Sequence, residues 1–92
     1  MDEKIIHELE NNRFIIYAEG SEALVEYKMT DDTIDLYHTF TDPVLRGKGL
    51  AAHVVRAAFE YAKENNLKVI PTCSFVRSFV RRYKEYKEMV VE

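Results

Sequence analysis

The first forty residues alternate between apolar and polar side chains with a period of two, the pattern of strands that are covered on one side. Turn-forming pairs separate the alternating segments at Asn11-Asn12, Gly20-Ser21 and Asp31-Asp32. Consecutive strands joined by such short turns run antiparallel. The pattern therefore predicts a four-stranded antiparallel meander, with strands at residues 5–7, 13–19, 22–29 and 33–41.

The alternation also assigns the side chains of the fourth predicted strand to the two faces of the sheet. Ile34, Leu36, His38 and Phe40 fall on one face, and Tyr37 falls on the other. On the apolar face, His38 would be either a half-buried structural histidine, which is the commoner role, or a base near the end of the strand.

After Pro43 the spacing of the apolar positions changes to three and four, which predicts an amphipathic helix of about four turns that ends near Asn65-Asn66. A short β-branched segment, residues 67–73, predicts a fifth strand. A second helix is predicted to begin near Ser74 and to reach Tyr86. A strand-helix-strand unit joined to a meander gives an α+β fold with one mixed sheet. The stripe of the first helix consists of Leu50, Ala51, Val54, Val55, Ala58, Phe59 and Ala62.

The composition is that of an ordinary folded protein, with 47% apolar and 32% charged residues. At 92 residues we expect a single domain, residues 1–92. The net charge of −3 does not favour a nucleic-acid partner, and no apolar run reaches the ~20 residues of a membrane helix. The single cysteine and the lack of a leader-like N-terminus indicate a cytoplasmic protein, expected to be a monomer or a weak homodimer.

Two of the three glycines, Gly47 and Gly49, stand between the fourth strand and the first helix, beside Arg46 and Lys48. The first amide groups of a helix have no intrahelical partner and lie at the positive end of the helix dipole. Glycines leave these amides accessible, and the two cations add positive charge. The segment therefore predicts a site for a phosphate or a pyrophosphate.

Two common phosphate-binding motifs do not fit this segment. A P-loop requires a lysine after the second glycine, where this chain has Leu50, and a dinucleotide-binding loop requires a third glycine, where it has Ala52. The segment Arg46-Gly47-Lys48-Gly49-Leu50-Ala51 instead resembles the R/Q-x-x-G-x-G/A signature of the GNAT superfamily of acyl-CoA-dependent N-acetyltransferases. The predicted order of elements is similar over nearly the whole chain. The similarity is greatest to a short, single-domain subgroup with a cysteine just beyond the fifth strand.

This resemblance implies acetyl-CoA or coenzyme A as the co-substrate. No metal is expected, because the sequence lacks the spacing of His and Cys residues that is typical of a metal site. In the superfamily the fourth and fifth strands are parallel and splay apart, so that backbone near Phe40 and Thr41 would hold pantetheine and the glycine loop would hold the pyrophosphate. Arg77, Arg81 or Arg82 could reach the adenosine phosphate, although a helix arginine is more often only solvated. The implied cofactor-binding residues are Phe40, Thr41, Val44, Arg46, Gly47, Lys48, Gly49, Leu50 and Ala51.

Cys73 follows the fifth predicted strand and precedes a predicted helix start, a position that can lower the pKa of a thiol from about 8.5. In a GNAT-like fold this edge faces the acetyl group, so Cys73 is the candidate catalytic residue. It would accept the acetyl group covalently or protonate the departing CoA. The alternative is a small buried apolar side chain. Tyr83 could protonate the CoA thiolate, as a tyrosine of the superfamily often does, or pack in the core.

Three functions remain open at this point. The first is an N-acetyltransferase that acts on a small amine or a protein lysine. The second is a CoA-binding module that is not catalytic or that needs a partner chain for its acceptor, since only a turn at Asn11-Asn12 stands where larger GNAT enzymes have acceptor-binding helices. The third is a structural domain whose glycine loop binds nothing.

Overall fold

Five strands form one sheet in the order β1-β2-β3-β4-β5 in the computed structural model, which describes residues 4–91. The ends of the predicted domain, residues 1–3 and 92, lie outside the described residues. The pairs from β1 to β4 are antiparallel, and β5 pairs with β4 in parallel. The predicted α+β fold with a meander and a parallel fifth strand is confirmed. The elements are β1 Ile5–Glu8, β2 Arg13–Ala18, β3 Ser21–Met29, β4 Thr33–Thr41, α1 Leu50–Glu64, β5 Lys68–Ile70 and α2 Ser74–Arg82.

A β-bulge in β4 changes which side chains face the core. Glu26 pairs with His38 but Tyr27 pairs with Leu36, so Tyr37 is an extra residue without a partner on β3. An extra residue shifts the alternation by one position, so that the faces are exchanged beyond it.

The prediction that Ile34, Leu36, His38 and Phe40 share a face is therefore wrong. Ile34 and Leu36 are buried, whereas His38 and Phe40 are exposed. Thr39 and Thr41 instead pair with the buried Val25 and Ala23 of β3, on the core side of the sheet.

The core lies between the sheet and the two helices, which pack against each other on the same face. The ring of Phe59 on α1 stacks on Phe79 of α2 at 5.6 Å between centroids. Tyr86 also contacts Phe59, at 4.9 Å. The predicted stripe of α1 is buried except for Ala51, which is half-buried.

The second helix is shorter than predicted. It ends at Arg82, and Tyr83 leaves the helical conformation with φ −111° and ψ 82°. A 3-10 helix, Lys84–Met89, follows and carries Tyr86 into the core. The spacing of Phe79, Tyr83 and Tyr86 suits a 3-10 turn as well as an α-helix, so the sequence pattern alone did not reveal the break.

Candidate functional site

A cleft of about 510 Å³ lies where β4, the glycine loop, the start of α1 and one side of α2 meet. Two threonines come from β4, and the loop and the first turn of α1 supply most of the remaining wall. The lining residues are Thr39, Thr41, Leu45, Arg46, Gly47, Gly49, Leu50, Ala51, Ala52, Phe75 and Arg82.

Local interactions hold the loop in place. The side chain of Asp42 accepts a hydrogen bond from the amide of Val44 at 3.2 Å and begins a 3-10 helix, Pro43–Leu45. The side chain of Leu45 is fully buried and anchors the loop to the core. Gly47 and Gly49 both have left-handed backbone conformations, with φ of 85° and 74°. Side chains rarely adopt this conformation, so the path of the loop depends on the two glycines.

The start of α1 presents unpaired amide groups to the cleft. Gly49 caps the helix, and its carbonyl accepts the first hydrogen bond, from the amide of His53, at 3.2 Å. The amides of Leu50, Ala51 and Ala52 therefore have no partner within the helix, and all three residues line the cleft. Together with Arg46, these amides make the wall electropositive, which suits an anion.

Strands β4 and β5 separate beside the cleft. Their pairing covers only three positions, from Thr33 opposite Lys68 to Asp35 opposite Ile70. One further bond runs from the amide of Cys73 to the carbonyl of Leu36, at 3.1 Å. Because β4 continues to Thr41, residues 37–41 have no partner on β5. This exposed strand edge can pair with an extended ligand.

Cys73 lies at the N-terminus of α2, next to this gap. It is half-buried, and its Sγ is 3.6 Å from the hydroxyl oxygen of Thr39. Burial acts to raise the pKa of the thiol, but Thr39 and the amides of Phe75 and Val76 outweigh it, so the pKa is below its ordinary value. Such a thiol has more thiolate, the nucleophilic form, at neutral pH.

Hydrogen bonds fix the segment that carries Cys73. The hydroxyl group of Thr72 donates to the carboxylate of Asp35 at 2.5 Å. The guanidinium of Arg77 donates to the carbonyls of Pro71 and Thr72, at 2.9 and 2.7 Å. Arg77 thus stabilises the turn before α2 and does not line the cleft.

The structure brings six of the nine residues implied for cofactor binding into the cleft. Three others do not line it. The side chain of Phe40 lies on the opposite face of the sheet because of the bulge, Val44 is exposed on the loop, and Lys48 pairs with Glu19 at 2.6 Å. The six that line the cleft are Thr41, Arg46, Gly47, Gly49, Leu50 and Ala51.

Other lining residues were missed. The alternation puts Thr39 on the face opposite Ile34 and Leu36. The bulge, which leaves no local signal in the alternation, moves it to the core side. The spacing of four between Phe75 and Phe79 predicts that Phe75 lies on the inward side of the second helix, yet it borders the cleft and is partly exposed. Among the three candidate arginines, Arg82 lines the cleft, while Arg81 contacts the hydroxyl of Ser78 at 3.2 Å.

Two further side chains lie in aromatic clusters outside the cleft. The ring of Tyr83 contacts both the guanidinium of Arg56, at 4.5 Å, and the ring of Phe79, at 4.8 Å between centroids. His7, to which the sequence assigned no role, stacks on Phe14 at 4.0 Å, and its Nε2 is 2.5 Å from the hydroxyl of Tyr27. Burial lowers the pKa of His7.

Within residues 4–91, no three His, Cys, Asp or Glu side chains are grouped so that they could hold a metal ion. No helix in the same range is long and apolar enough to cross a membrane.

Comparison with known proteins gives matches over most of the chain. The family model for the GCN5-related N-acetyltransferase matches residues 13–89. Protein NATD1 of Danio rerio is 29% identical over 93 residues, which cover 96% of this chain and 84% of that protein. Protein NATD1 of Homo sapiens is 28% identical over 81 residues, which cover 85% of this chain and 72% of the relative. The solution structure of a GCN5-like protein from Staphylococcus aureus superposes with a TM-score of 0.74, at 28% identity, over 96% of this chain and 87% of that one.

Proposed function

Because the chain belongs to the GCN5-related N-acetyltransferase family, we propose that its cleft binds acetyl-CoA and that the protein transfers the acetyl group to an amine. This proposal rests on three features that lie together in one cleft. They are the loop with Gly47 and Gly49, the unpaired amides at the start of α1, and the unpaired edge of β4. An anionic diphosphate with an extended, amide-containing arm needs these features together.

The two ends of such a ligand would lie on different parts of the cleft. The diphosphate would accept hydrogen bonds from the amides of residues 50–52, with Arg46 beside it. The amide groups of pantetheine would pair with the free edge of β4, near Thr39 and Thr41. Arg82 lines the α2 side of the cleft and would meet a further phosphate of the nucleotide.

In the proposed reaction the amine nitrogen forms a bond to the acetyl carbonyl carbon, and the carbon-sulfur bond to CoA breaks. The thiolate that leaves takes up a proton and the amine loses one. In the covalent form of the reaction, the thiolate of Cys73 first displaces CoA and becomes acetylated. The amine then attacks this thioester and releases Cys73. The lowered pKa of Cys73 supports the covalent form, because a nucleophile must be deprotonated whereas an acid must hold its proton.

A second candidate function is a CoA-binding module that needs a partner chain for its acceptor. Among the described residues, only a 3-10 helix of three residues, Leu9–Asn11, connects β1 to β2. The acceptor surface available to one chain is correspondingly small.

Ligand binding is tested by the thermal shift that CoA or acetyl-CoA produces in two glycine variants. Gly49→Ala places a methyl group in the cleft, whereas Gly20→Ala places one in the turn between β2 and β3. Both glycines have similar left-handed φ, 74° and 77°, and an added Cβ meets nothing within 4 Å at either position. Both variants should therefore lose about 1 to 2 kcal/mol of stability from backbone strain.

In wild type, CoA at a hundredfold excess over its dissociation constant should add about 2.7 kcal/mol of stability. We expect Gly20→Ala to keep this response and Gly49→Ala to lose most of it. No response in wild type, or an equal response in both variants, would contradict the binding site.

Activity is tested by thiol release from acetyl-CoA with a panel of amines and lysine peptides. Binding of acetyl-CoA with no thiol release for any acceptor would favour the second candidate function.

Intact mass measurement after exposure to acetyl-CoA tests the covalent form of the reaction. Wild type should gain the mass of one acetyl group, and Cys73→Ser should not. An unmodified wild type with unchanged turnover in Cys73→Ser would remove Cys73 from the mechanism.

A further inference from the structure

Four apolar side chains form a row across the face of the sheet that lies opposite the helices. The cross-strand pairs are Ile6 with Ile15, Ile15 with Leu24, and Leu24 with Phe40. The two central residues are nearly inaccessible, at 0% and 5% exposure, yet they lie outside the core cluster that the helices cover. The two outer residues, Ile6 and Phe40, are 39% and 41% exposed.

A row of charged and polar residues lies beside this apolar row on the same face. Glu8 pairs with Arg13, Arg13 with Glu26, and Glu26 with His38. The row therefore alternates acid, base, acid and ends on a histidine. The Arg13 Nε lies 2.7 Å from a carboxylate oxygen of Glu8, while Glu26 forms no ion pair with any residue in the described range 4–91.

We propose that this face binds a second copy of the chain, around a two-fold axis that runs parallel to the strands between β2 and β3. This axis places β1 over the partner's β4, and β2 over its β3. Arg13 then lies opposite the partner's Glu26. Ile15 lies opposite the partner's Leu24. The proposal does not depend on the proposed acetyltransferase function.

The same axis also brings the two exposed apolar ends together, since Ile6 lies opposite the partner's Phe40. Sheets that pack face to face are about 10 Å apart and nearly aligned, which suits this arrangement.

The charge pattern selects this axis over the other two-fold arrangement of the same faces. An axis along the apolar row would place Glu26 opposite the partner's Glu22, because Glu22 lies on the same strand and face beyond Leu24. Two carboxylates in contact would repel each other. Around the axis parallel to the strands, the basic Arg13 lies opposite the acidic Glu26 of the second copy. The charges of the face are therefore complementary to those of a second, identical face.

The expected dimer is weak, because Ile15 and Leu24 are already buried in one chain and only the ends of the row gain burial. Sedimentation velocity of the full chain over a range of concentrations should show a sedimentation coefficient that rises with concentration. Phe40→Lys should remove this rise. Val91→Lys is the matched control, since Val91 is 40% exposed and lies beside β5, where its amide bonds to the carbonyl of Val69.

A charge exchange tests the axis itself. Glu26→Arg alone would place two arginines opposite each other, and Arg13→Glu alone would place two glutamates opposite each other. Each variant should be monomeric, and an equimolar mixture should form a heterodimer. Circular dichroism shows whether each variant is folded, and Glu26→Arg breaks no side-chain hydrogen bond or ion pair among residues 4–91.

A wild type that stays monomeric at every concentration would overturn the proposal. Equal behaviour of Phe40→Lys and Val91→Lys would overturn it as well. A dimer that Glu26→Arg leaves unchanged would overturn the proposed axis.

Discussion

Cys73 is the side chain whose chemistry depends most directly on a single neighbour. Its sulfur lies 3.6 Å from the Thr39 hydroxyl, which helps to lower the pKa of the thiol against the effect of burial. A lower pKa means more thiolate at a given pH. The contact exists because the bulge at Tyr37 turns Thr39 toward the helices.

We predict that Thr39→Val raises the pKa of Cys73, because valine has the shape of threonine without its hydrogen-bond donor. The rate of alkylation by iodoacetamide near pH 7.5 should fall several-fold, and Thr39→Ser should restore it. The measurement is the alkylation rate as a function of pH. An unchanged profile in Thr39→Val would show that Thr39 does not act on the thiol.

We predict that His7 makes the stability of the fold depend on pH. Burial lowers its pKa in the folded chain below the ordinary value of 6.5. The unfolded chain therefore binds a proton at His7 more readily than the folded chain does. The stability that neutral His7 contributes is present above about pH 6.5, and it is lost as the pH falls through the lower pKa that His7 has in the folded chain. His7→Gln removes the titrating group.

The difference in free energy of unfolding between wild type and His7→Gln should therefore narrow as the pH falls from 7.5 to 5.5. Urea denaturation at several pH values measures this difference. A difference that stays constant over this range would contradict the pH-dependent role of His7.

At the scale of elements, Arg56 joins α1 to the segment that follows α2. Its guanidinium lies 4.5 Å from the ring centre of Tyr83 and 5.9 Å from that of Tyr86, and it donates to the Tyr86 hydroxyl at 3.3 Å. Cation-π contacts of partly buried groups contribute about 1 to 2 kcal/mol.

We predict that Arg56→Met, which keeps the aliphatic stem, lowers the free energy of unfolding by about 1 to 2 kcal/mol. CoA binding should be unchanged, because Arg56 does not line the cleft. Lys63→Met, at an exposed position on the same helix, is the control and should have little effect on stability. Equal stability of both variants in urea would show that the Arg56 contacts contribute little.

The elements that the sequence predicted correctly are those whose signals are local. The stripe of α1, the glycine loop and the short β5 each depend on spacing or turn chemistry within a few residues. The two errors in the predicted backbone lie at Tyr37 and Tyr83. In both places, pairing or packing with a distant element decides the backbone conformation. The bulge at Tyr37 depends on the pairing of β4 with β3, and the 3-10 helix after Tyr83 depends on the packing of its Tyr86 ring against α1. Periodicity within one segment carries no information about either partner.

For the whole molecule, the two faces of the sheet have different roles in this account. The face with the helices forms the core and, at the splayed end of β4, the cleft. The opposite face carries the apolar row and the alternating charges. Since the two surfaces are separate, loss of the proposed dimer through Glu26→Arg, a residue that does not line the cleft, should leave the affinity for CoA unchanged.

In the proposed function, the loop and the start of α1 bind the diphosphate of acetyl-CoA. Titration of the isotope-labelled chain with acetyl-CoA, followed by its amide resonances, tests this claim most directly. We predict saturable shifts that are largest at Gly47, Gly49 and residues 50–52, with smaller ones at residues 39–41. Unchanged loop resonances at saturating ligand, or shifts confined to other parts of the chain, would show that the loop does not bind the diphosphate.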